Sequence, residues 1–173
     1  MQYNVAQLLK ESTGAVRRVV VEGELALPEG TSAFYDGRIE LLRTHQGLLV
    51  RGTVAATAPL GCGRCLNDFA SPCHIEVEEE FFPVVDVNTG RRTEMPWDYD
   101  GTTIDESHVL DLSEVLRQCT IAAQPIKPLC SEDCQGLCQE CGVDLNESEC
   151  VCGGAAIDPR WEALAALLKQ PES

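Results

Sequence analysis

Aromatic side chains are scarce in this 173-residue chain, 5% in all with only 2 Trp, and basic ones are outnumbered, 13 Lys and Arg against 28 Asp and Glu. The first shortage means that a core must be built mostly from Val, Leu, Ile and Ala. The second argues against electrostatic capture of nucleic acid, which relies on clustered Lys and Arg and on counterion release, and against an anionic membrane surface. A formal charge of −15 attracts a basic protein instead. No segment approaches the roughly 18 consecutive apolar residues of a membrane span. The opening MQYNVAQLLKESTG lacks the basic stretch and apolar run of a secretory signal. We therefore expect a cytoplasmic protein, in a reducing compartment where disulfides are rare and a cysteine-rich pattern points to metal. His45, His74 and His108 are scattered, and no HExxH, GxSxG, Walker or GxGxxG pattern occurs, so no catalytic residue is assigned.

What is present begins with β-type patterning. Val16 to Leu27 is β-branched and partly alternating, and Pro28-Glu29-Gly30 stops it. Phe34 to Arg43 and Leu48 to Ala58 are two more strands across a Thr44-His45-Gln46-Gly47 connection. Cys73 to Phe82 alternates clearly, with Cys73, Ile75 and Val77 on one face and His74, Glu76 and Glu78 on the other. Sequential strands with short turns usually pair, so the predicted fold is mainly β with α: a β-barrel or curved antiparallel sheet, two helices and a C-terminal zinc-binding segment.

From Val84 to Asp111 the pattern fades into a polar, acidic loop. Asp111-Leu-Ser-Glu114 resembles a capping box opening a helix to about Ala123. A second helix is expected from Asp158-Pro159, with Trp161, Leu164, Leu167 and Leu168 on one side. The chain thus divides into a β-rich domain, 1–125, with an acidic insert near 85–110, and a Cys-rich segment with its C-terminal helix, 126–173, packing on the same domain.

Ten cysteines set the chemistry. Cys62-x2-Cys65 is followed by isolated Cys73 and Cys119, then by Cys130-x3-Cys134-x3-Cys138-x2-Cys141-x8-Cys150-x-Cys152. Close pairs on Gly-rich turns let two sulfurs reach one tetrahedral ion at about 2.3 Å. Four such pairs make two four-thiolate sites, and Cys73 and Cys119, on apolar stripes, read as inert core thiols. The preferred partition joins Cys62 and Cys65 to Cys130 and Cys134, and Cys138 and Cys141 to Cys150 and Cys152. An alternative gives Cys130, Cys134, Cys138 and Cys141 one ion and joins Cys62 and Cys65 to Cys150 and Cys152. Spacing alone leaves both open. Two Zn2+ ions are expected; eight thiolates and two dications add a net −4, taking −15 to −19. Thiol exchange at Cys62-Gly-Arg-Cys65 is disfavoured by the poor helix opening that follows it, and pairwise spacing favours zinc over an iron-sulfur cluster.

Two surface readings complete the inventory. Glu76, Glu78, Glu79 and Glu80 form an acidic run that can face a basic partner or merely solvent. Arg17, Arg18, Arg38, Arg43 and Arg51 concentrate positive charge on the strands, and RNA, if touched at all, would be touched there.

Three stretches in order resemble the YceD family, also called domain of unknown function 177: Cys62-Gly-Arg-Cys65-Leu66, the run Pro128-Leu-Cys-Ser-Glu-Asp-Cys-Gln-Gly-Leu-Cys-Gln-Glu-Cys-Gly-Val-Asp-Leu-Asn146, and Ile157-Asp-Pro-Arg160 before a Leu-rich helix. The resemblance covers about residues 15 to 169. It implies a ribosome-biogenesis factor needed for accumulation of large-subunit ribosomal RNA, with no established catalysis and an association with a small zinc-binding protein of the large subunit. Joined to the charge, it suggests a zinc-stabilised acidic scaffold for a basic large-subunit ribosomal protein or assembly intermediate. A direct rRNA-binding processing factor, and a zinc donor or thiol oxidoreductase, are the alternatives.

Overall fold

The computed structural model describes residues 1–28, 30–93, 101–152 and 159–161. The chain forms two compact units, Met1–Leu60 with Asp68–Pro128, and Gly61–Asn67 with Leu129–Ser173. The first unit carries β1 (Gln2–Asn4), α1 (Ala6–Lys10), β2 (Val16–Ala26), β3 (Ser32–Arg43), β4 (Leu48–Gly61), β5 (Asp68–Pro83), β6 (Thr103–Ile104), β7 (Val109–Asp111) and α2 (Ser113–Ala123). The strands make one curled sheet in the order β1-β7-β6-β5-β4-β3-β2. It is the mainly β architecture expected, a curled half-barrel, with two α-helices among the described residues, of which the sequence pattern predicts α2 but not α1.

Period-two patterning builds the long strands. Along β4, Val50, Val54, Ala56 and Ala58 are buried while Arg51, Thr53, Ala55 and Thr57 are exposed; along β5, Ile75 and Val77 are buried while His74, Glu76 and Glu78 are exposed. β2 pairs antiparallel with β3 from Val16 opposite Leu42 to Ala26 opposite Ser32, and β3 with β4 from Phe34 opposite Thr57 to Arg43 opposite Leu48. The curl brings small residues to close approaches. A Cβ at Gly52 would lie 2.8 Å from the Arg38 carbonyl oxygen, and one at Gly47, between β3 and β4, only 2.1 Å from that of Phe81.

One core fills the concave side, with Tyr35, Phe81, Leu8, Ile39, Leu41 and Leu48 among its largest fully buried members. α1 inserts Leu8 and Leu9 into it, and α2 inserts Val115, Leu116 and Thr120. The Thr120 hydroxyl donates to the Leu116 carbonyl (2.8 Å), so the Tyr35 hydroxyl is left to donate to Thr120 Oγ1 at 2.9 Å. Cys73 and Cys119 are half-buried against the same core, and burial pushes both thiols up.

The two ends of the sheet are bridged by side chains. The Tyr3 hydroxyl donates to the Val20 carbonyl (2.8 Å), the Arg17 guanidinium reaches the Asn4 carbonyl (3.5 Å), and Met1 Cε lies 3.7 Å from where a Gly23 Cβ would stand.

Three expectations need correction. The stretch from Val84 to Asp111 carries β6 and β7, and before them a tight turn in which the Asp86 carboxylate accepts from the amides of Asn88 (3.1 Å) and Thr89 (2.7 Å). β5 starts at Asp68 and runs through Pro72 to Pro83, whereas the alternation in the sequence places its start only at Cys73. The reciprocal capping box does not form: Asp111 accepts from the Ser113 amide (2.8 Å), but Glu114 turns to Arg117 and Gln118 instead of back to the cap. Of the expected C-terminal helix only the 3-10 turn Pro159–Trp161 is described; Leu164, Leu167 and Leu168 lie outside the described residues.

Gly47→Ala should destabilise the protein by about 2 kcal/mol or more, since the clash is with backbone and cannot be relieved by a rotamer. Urea unfolding followed by circular dichroism checks this; an unchanged midpoint would contradict the close approach.

Candidate metal centres

Two turns in the second unit share one construction. In Cys62-Gly-Arg-Cys65-Leu66-Asn67 the Cys62 amide donates to the Asn67 carbonyl (2.9 Å) and the Leu66 amide to the Cys62 carbonyl (3.0 Å). In Cys138-Gln-Glu-Cys141-Gly142-Val143 the Cys138 amide donates to the Val143 carbonyl (2.9 Å) and the Gly142 amide to the Cys138 carbonyl (2.9 Å). The fifth residue of each is left-handed, Leu66 at φ 64° and Gly142 at φ 72°. Glycine adopts that region freely; a leucine there costs roughly 1 kcal/mol. Such a turn directs backbone N–H groups at the first sulfur, as the Arg64 amide does at Cys62 Sγ (3.4 Å).

The remaining cysteines come from the downstream chain. Cys134 follows a turn closed by its own amide on the Ser131 carbonyl (3.1 Å), and the Cys152 amide points at Cys150 Sγ (3.3 Å). The result is two sets, Cys62, Cys65, Cys130 and Cys134, and Cys138, Cys141, Cys150 and Cys152, the sulfurs of each within 4.8 Å of one another. This grouping corresponds to the first of the two partitions left open by spacing.

The sulfur separations test the fit. A tetrahedral ion with arms of about 2.3 Å spaces its sulfurs about 3.8 Å apart, whereas a disulfide holds them at about 2.05 Å. Cys62 and Cys134 are 3.8 Å apart and Cys65 and Cys130 3.7 Å. In the other set Cys141 and Cys150 are 3.6 Å apart, and Cys138 and Cys150 are closer, at 3.2 Å. All ten thiols are free of disulfides. Both sets can hold a metal ion, and four protein sulfurs leave no open position on it.

Protonation within each bare set is uneven. Amides of Cys65, Cys130 and Arg64 lower Cys62 to about 6, and those of Cys141 and Glu140 lower Cys138 to about 6. Cys130 is pushed up to about 12, first by the sulfur of Cys134, and Cys152 to about 12, first by that of Cys150. One thiolate forms easily in each set. The last protons leave only when a cation offsets the crowded charge.

Supporting residues that cysteine spacing does not announce hold the first set. Arg64 donates to the carbonyls of Cys134 (2.7 Å) and Glu132 (3.2 Å). Asn146 donates to Cys134 Sγ (3.4 Å) and accepts from the Gln135 amide (2.8 Å), and Asn67 donates to Asp144 (2.9 Å). A Cβ at Gly136, φ 75°, would lie 3.0 Å from the Arg64 carbonyl oxygen. The two sets differ in access: Cys62, Cys65 and Cys134 are 1 to 3% exposed and only Cys130 of the first set is exposed, whereas no cysteine of the second set is buried, Cys141 being exposed and its three companions half-buried.

The arginines singled out from sequence are mostly engaged. Arg18 and Arg51 both pair with Glu40 (2.9 and 3.2 Å), and Arg43 is turned to the carbonyls of Leu9, Thr44 and Gly47. Arg17 reaches Asn4, and Arg38 borders a shallow hollow with Glu40 and Arg51. The glutamates are not one surface. Glu76 and Glu78 are exposed on the outer face of β5, Glu80 accepts from the Thr44 hydroxyl (2.7 Å), and Glu79, on the alternate face, lies near Cys119.

A curled β sheet accompanied by two four-cysteine sets on matching turns defines a mainly β protein with two cysteine clusters that could hold metal. The chain belongs to the YceD family: residues 50–168 match the family described as large ribosomal RNA subunit accumulation protein YceD. An uncharacterised protein of Mycobacterium tuberculosis is 36% identical over 149 residues, covering 86% of this chain and 68% of that one. An uncharacterised protein of Mycobacterium leprae is 28% identical over 167 residues (92% and 70%). The chloroplastic large ribosomal RNA subunit accumulation protein YCED homolog 1 of Arabidopsis thaliana is 27% identical over 165 residues (83% and 50%). No solved structure matches.

Two predictions follow from the geometry. Protein purified without chelator should carry two metal ions per chain by elemental analysis, and a competing chelator should strip the Cys138 set before the Cys62 set; simultaneous loss would contradict the difference in access. Gly142→Ala should destabilise the metal-loaded protein by about 1 kcal/mol while Leu66→Gly leaves it unchanged or more stable, as read from thermal unfolding.

Proposed function

We propose that this chain is a non-enzymatic ribosome-biogenesis factor that supports accumulation of large-subunit ribosomal RNA in the cytoplasm. It acts as a zinc-stabilised acidic scaffold for a basic large-subunit ribosomal protein or assembly intermediate. The observation that carries this reading is the pair of four-sulfur sets at near-tetrahedral spacing in a chain of charge −15. Cys62, Cys65, Cys130 and Cys134 would hold one Zn2+, and Cys138, Cys141, Cys150 and Cys152 the other, each as a closed structural site. Bringing Cys65 to Cys130, 65 residues away, costs roughly 4 kcal/mol of loop entropy, and a structural zinc supplies on the order of 10 kcal/mol. The family description supports the biological setting.

Direct rRNA binding through Arg17, Arg18, Arg38, Arg43 and Arg51 is the poorer reading, because Arg18 and Arg51 share one carboxylate and Arg43 is spent on backbone carbonyls. Zinc donation or thiol exchange at Cys62 and Cys65 is poorer still, since both sulfurs are buried.

Loss of the gene should lower large-subunit relative to small-subunit rRNA, and a Cys62→Ser/Cys134→Ser variant should fail to restore it. The purified protein should bind purified basic large-subunit proteins after nuclease treatment, with affinity falling as salt rises. Binding that vanishes with nuclease overturns the scaffold reading in favour of RNA.

A further inference from the structure

β5 has 16 residues, yet on the β6 side its described pairing is confined to Phe82 with Thr103 and Pro83 with Ile104. The direction of the free backbone groups there follows from the bonds at its end. The Phe82 amide donates to the Thr102 carbonyl (3.2 Å), and the Glu80 carbonyl accepts from the Thr102 hydroxyl (2.7 Å). In an extended strand these groups alternate sides, so Glu78 and Glu76 present their N–H and C=O to the same side. Among the described residues no group bonds them there. Pro72 agrees with this phase: its missing N–H falls on the same open side, where a central strand would not tolerate it.

Beside this edge lies a groove of about 650 Å3 between β5 and α2. Glu76, Glu78 and Glu79 form one wall, and Phe81, Val115 and Cys119 supply apolar surface; no Lys or Arg lines it among the described residues. Resting on the acidic-scaffold reading above, we propose that the β5 edge at Glu76–Glu78 takes up an extended segment of a basic partner protein as an added strand. Glu76 and Glu78, two residues apart on the outer face, set Lys or Arg at alternate positions of that segment. The intervening positions face Phe81, Val115 and Cys119 and set apolar side chains. A second copy of this chain is a poor occupant, because its own β5 would oppose glutamate to glutamate.

The test uses the full-length, metal-loaded protein and three labelled octapeptides: alternating Lys and Val, alternating Glu and Val, and the Lys-Val peptide N-methylated at alternate residues on its pairing edge. Fluorescence anisotropy should show the Lys-Val peptide binding at least tenfold more tightly than either of the others. Hydrogen exchange should slow at the Glu76 and Glu78 amides, and Glu76→Lys/Glu78→Lys should weaken binding at least tenfold while Glu22→Lys/Glu24→Lys does not. Equal affinity of the N-methylated peptide, or binding without protection of those amides, overturns strand addition and leaves the acidic scaffold standing. Failure of every basic peptide and every basic large-subunit protein to bind overturns both.

Discussion

Eight thiol sulfurs drawn into two groups of four constrain everything in the second unit. Sulfurs about 3.7 Å apart cannot all be ionised without a cation, and the amides aimed at Cys62 and Cys138 stabilise only the first thiolate of each group. Among the described residues the hydrophobic core lies wholly in the first unit. The described residues of the second unit contribute none of its members, and so no comparable apolar cluster with which to offset their chain entropy. The hydrogen bonds of Arg64, Asn67 and Asn146 brace the first set, and an ion held by either set would couple its binding to the order of the chain around it.

The first unit stands on different physics. Its core is aliphatic, as a chain with so few aromatics requires, and its curl depends on glycines where neighbouring backbones nearly touch. α2 closes the concave side with apolar contacts and one fully satisfied buried pair, Tyr35 with Thr120. An isolated hydroxyl in that position would cost about 1 to 3 kcal/mol, so the two residues form a unit.

The long strands and the cysteine sets were legible in the residues because both signals are local: period two for β4 and β5, short spacing for the thiols. The short elements were not. β1, α1, β6 and β7 span two to five residues each, and they take their order from partners far along the chain, as when Gln2 pairs with Asp111. The arginines fail for a related reason. Nothing in composition separates a solvent-facing guanidinium from Arg43, which caps three carbonyls. Leu66 is the sharpest case: its left-handed backbone belongs to a position that glycine fills in the matching turn, and the turn, not the residue, identifies it. The grouping of the eight sulfurs was undetermined because spacing limits which pairs are neighbours but not which pairs share an ion.

The sheet treats its exposed edges in two ways, and the contrast bears on the acidity of the whole chain. At β2 the ladder ends against Tyr3 and Met1, whose side chains occupy the approach, and Arg17 of β2 itself reaches across to the Asn4 carbonyl. At β5 the Thr102 hydroxyl takes the Glu80 carbonyl, and beyond it, among the described residues, the edge carries exposed Glu76 and Glu78. Natural sheets guard open edges with charge, because a charge facing its like disfavours edge-to-edge pairing. Lysine would guard such an edge equally well against copies of the chain, but it would attract nucleic acid as well. Glutamate repels both copies and phosphate, and favours the approach of positive charge. The negative charge of Glu76 and Glu78 therefore acts on what can approach the backbone groups of β5 rather than on the packing of the fold, since both side chains are exposed.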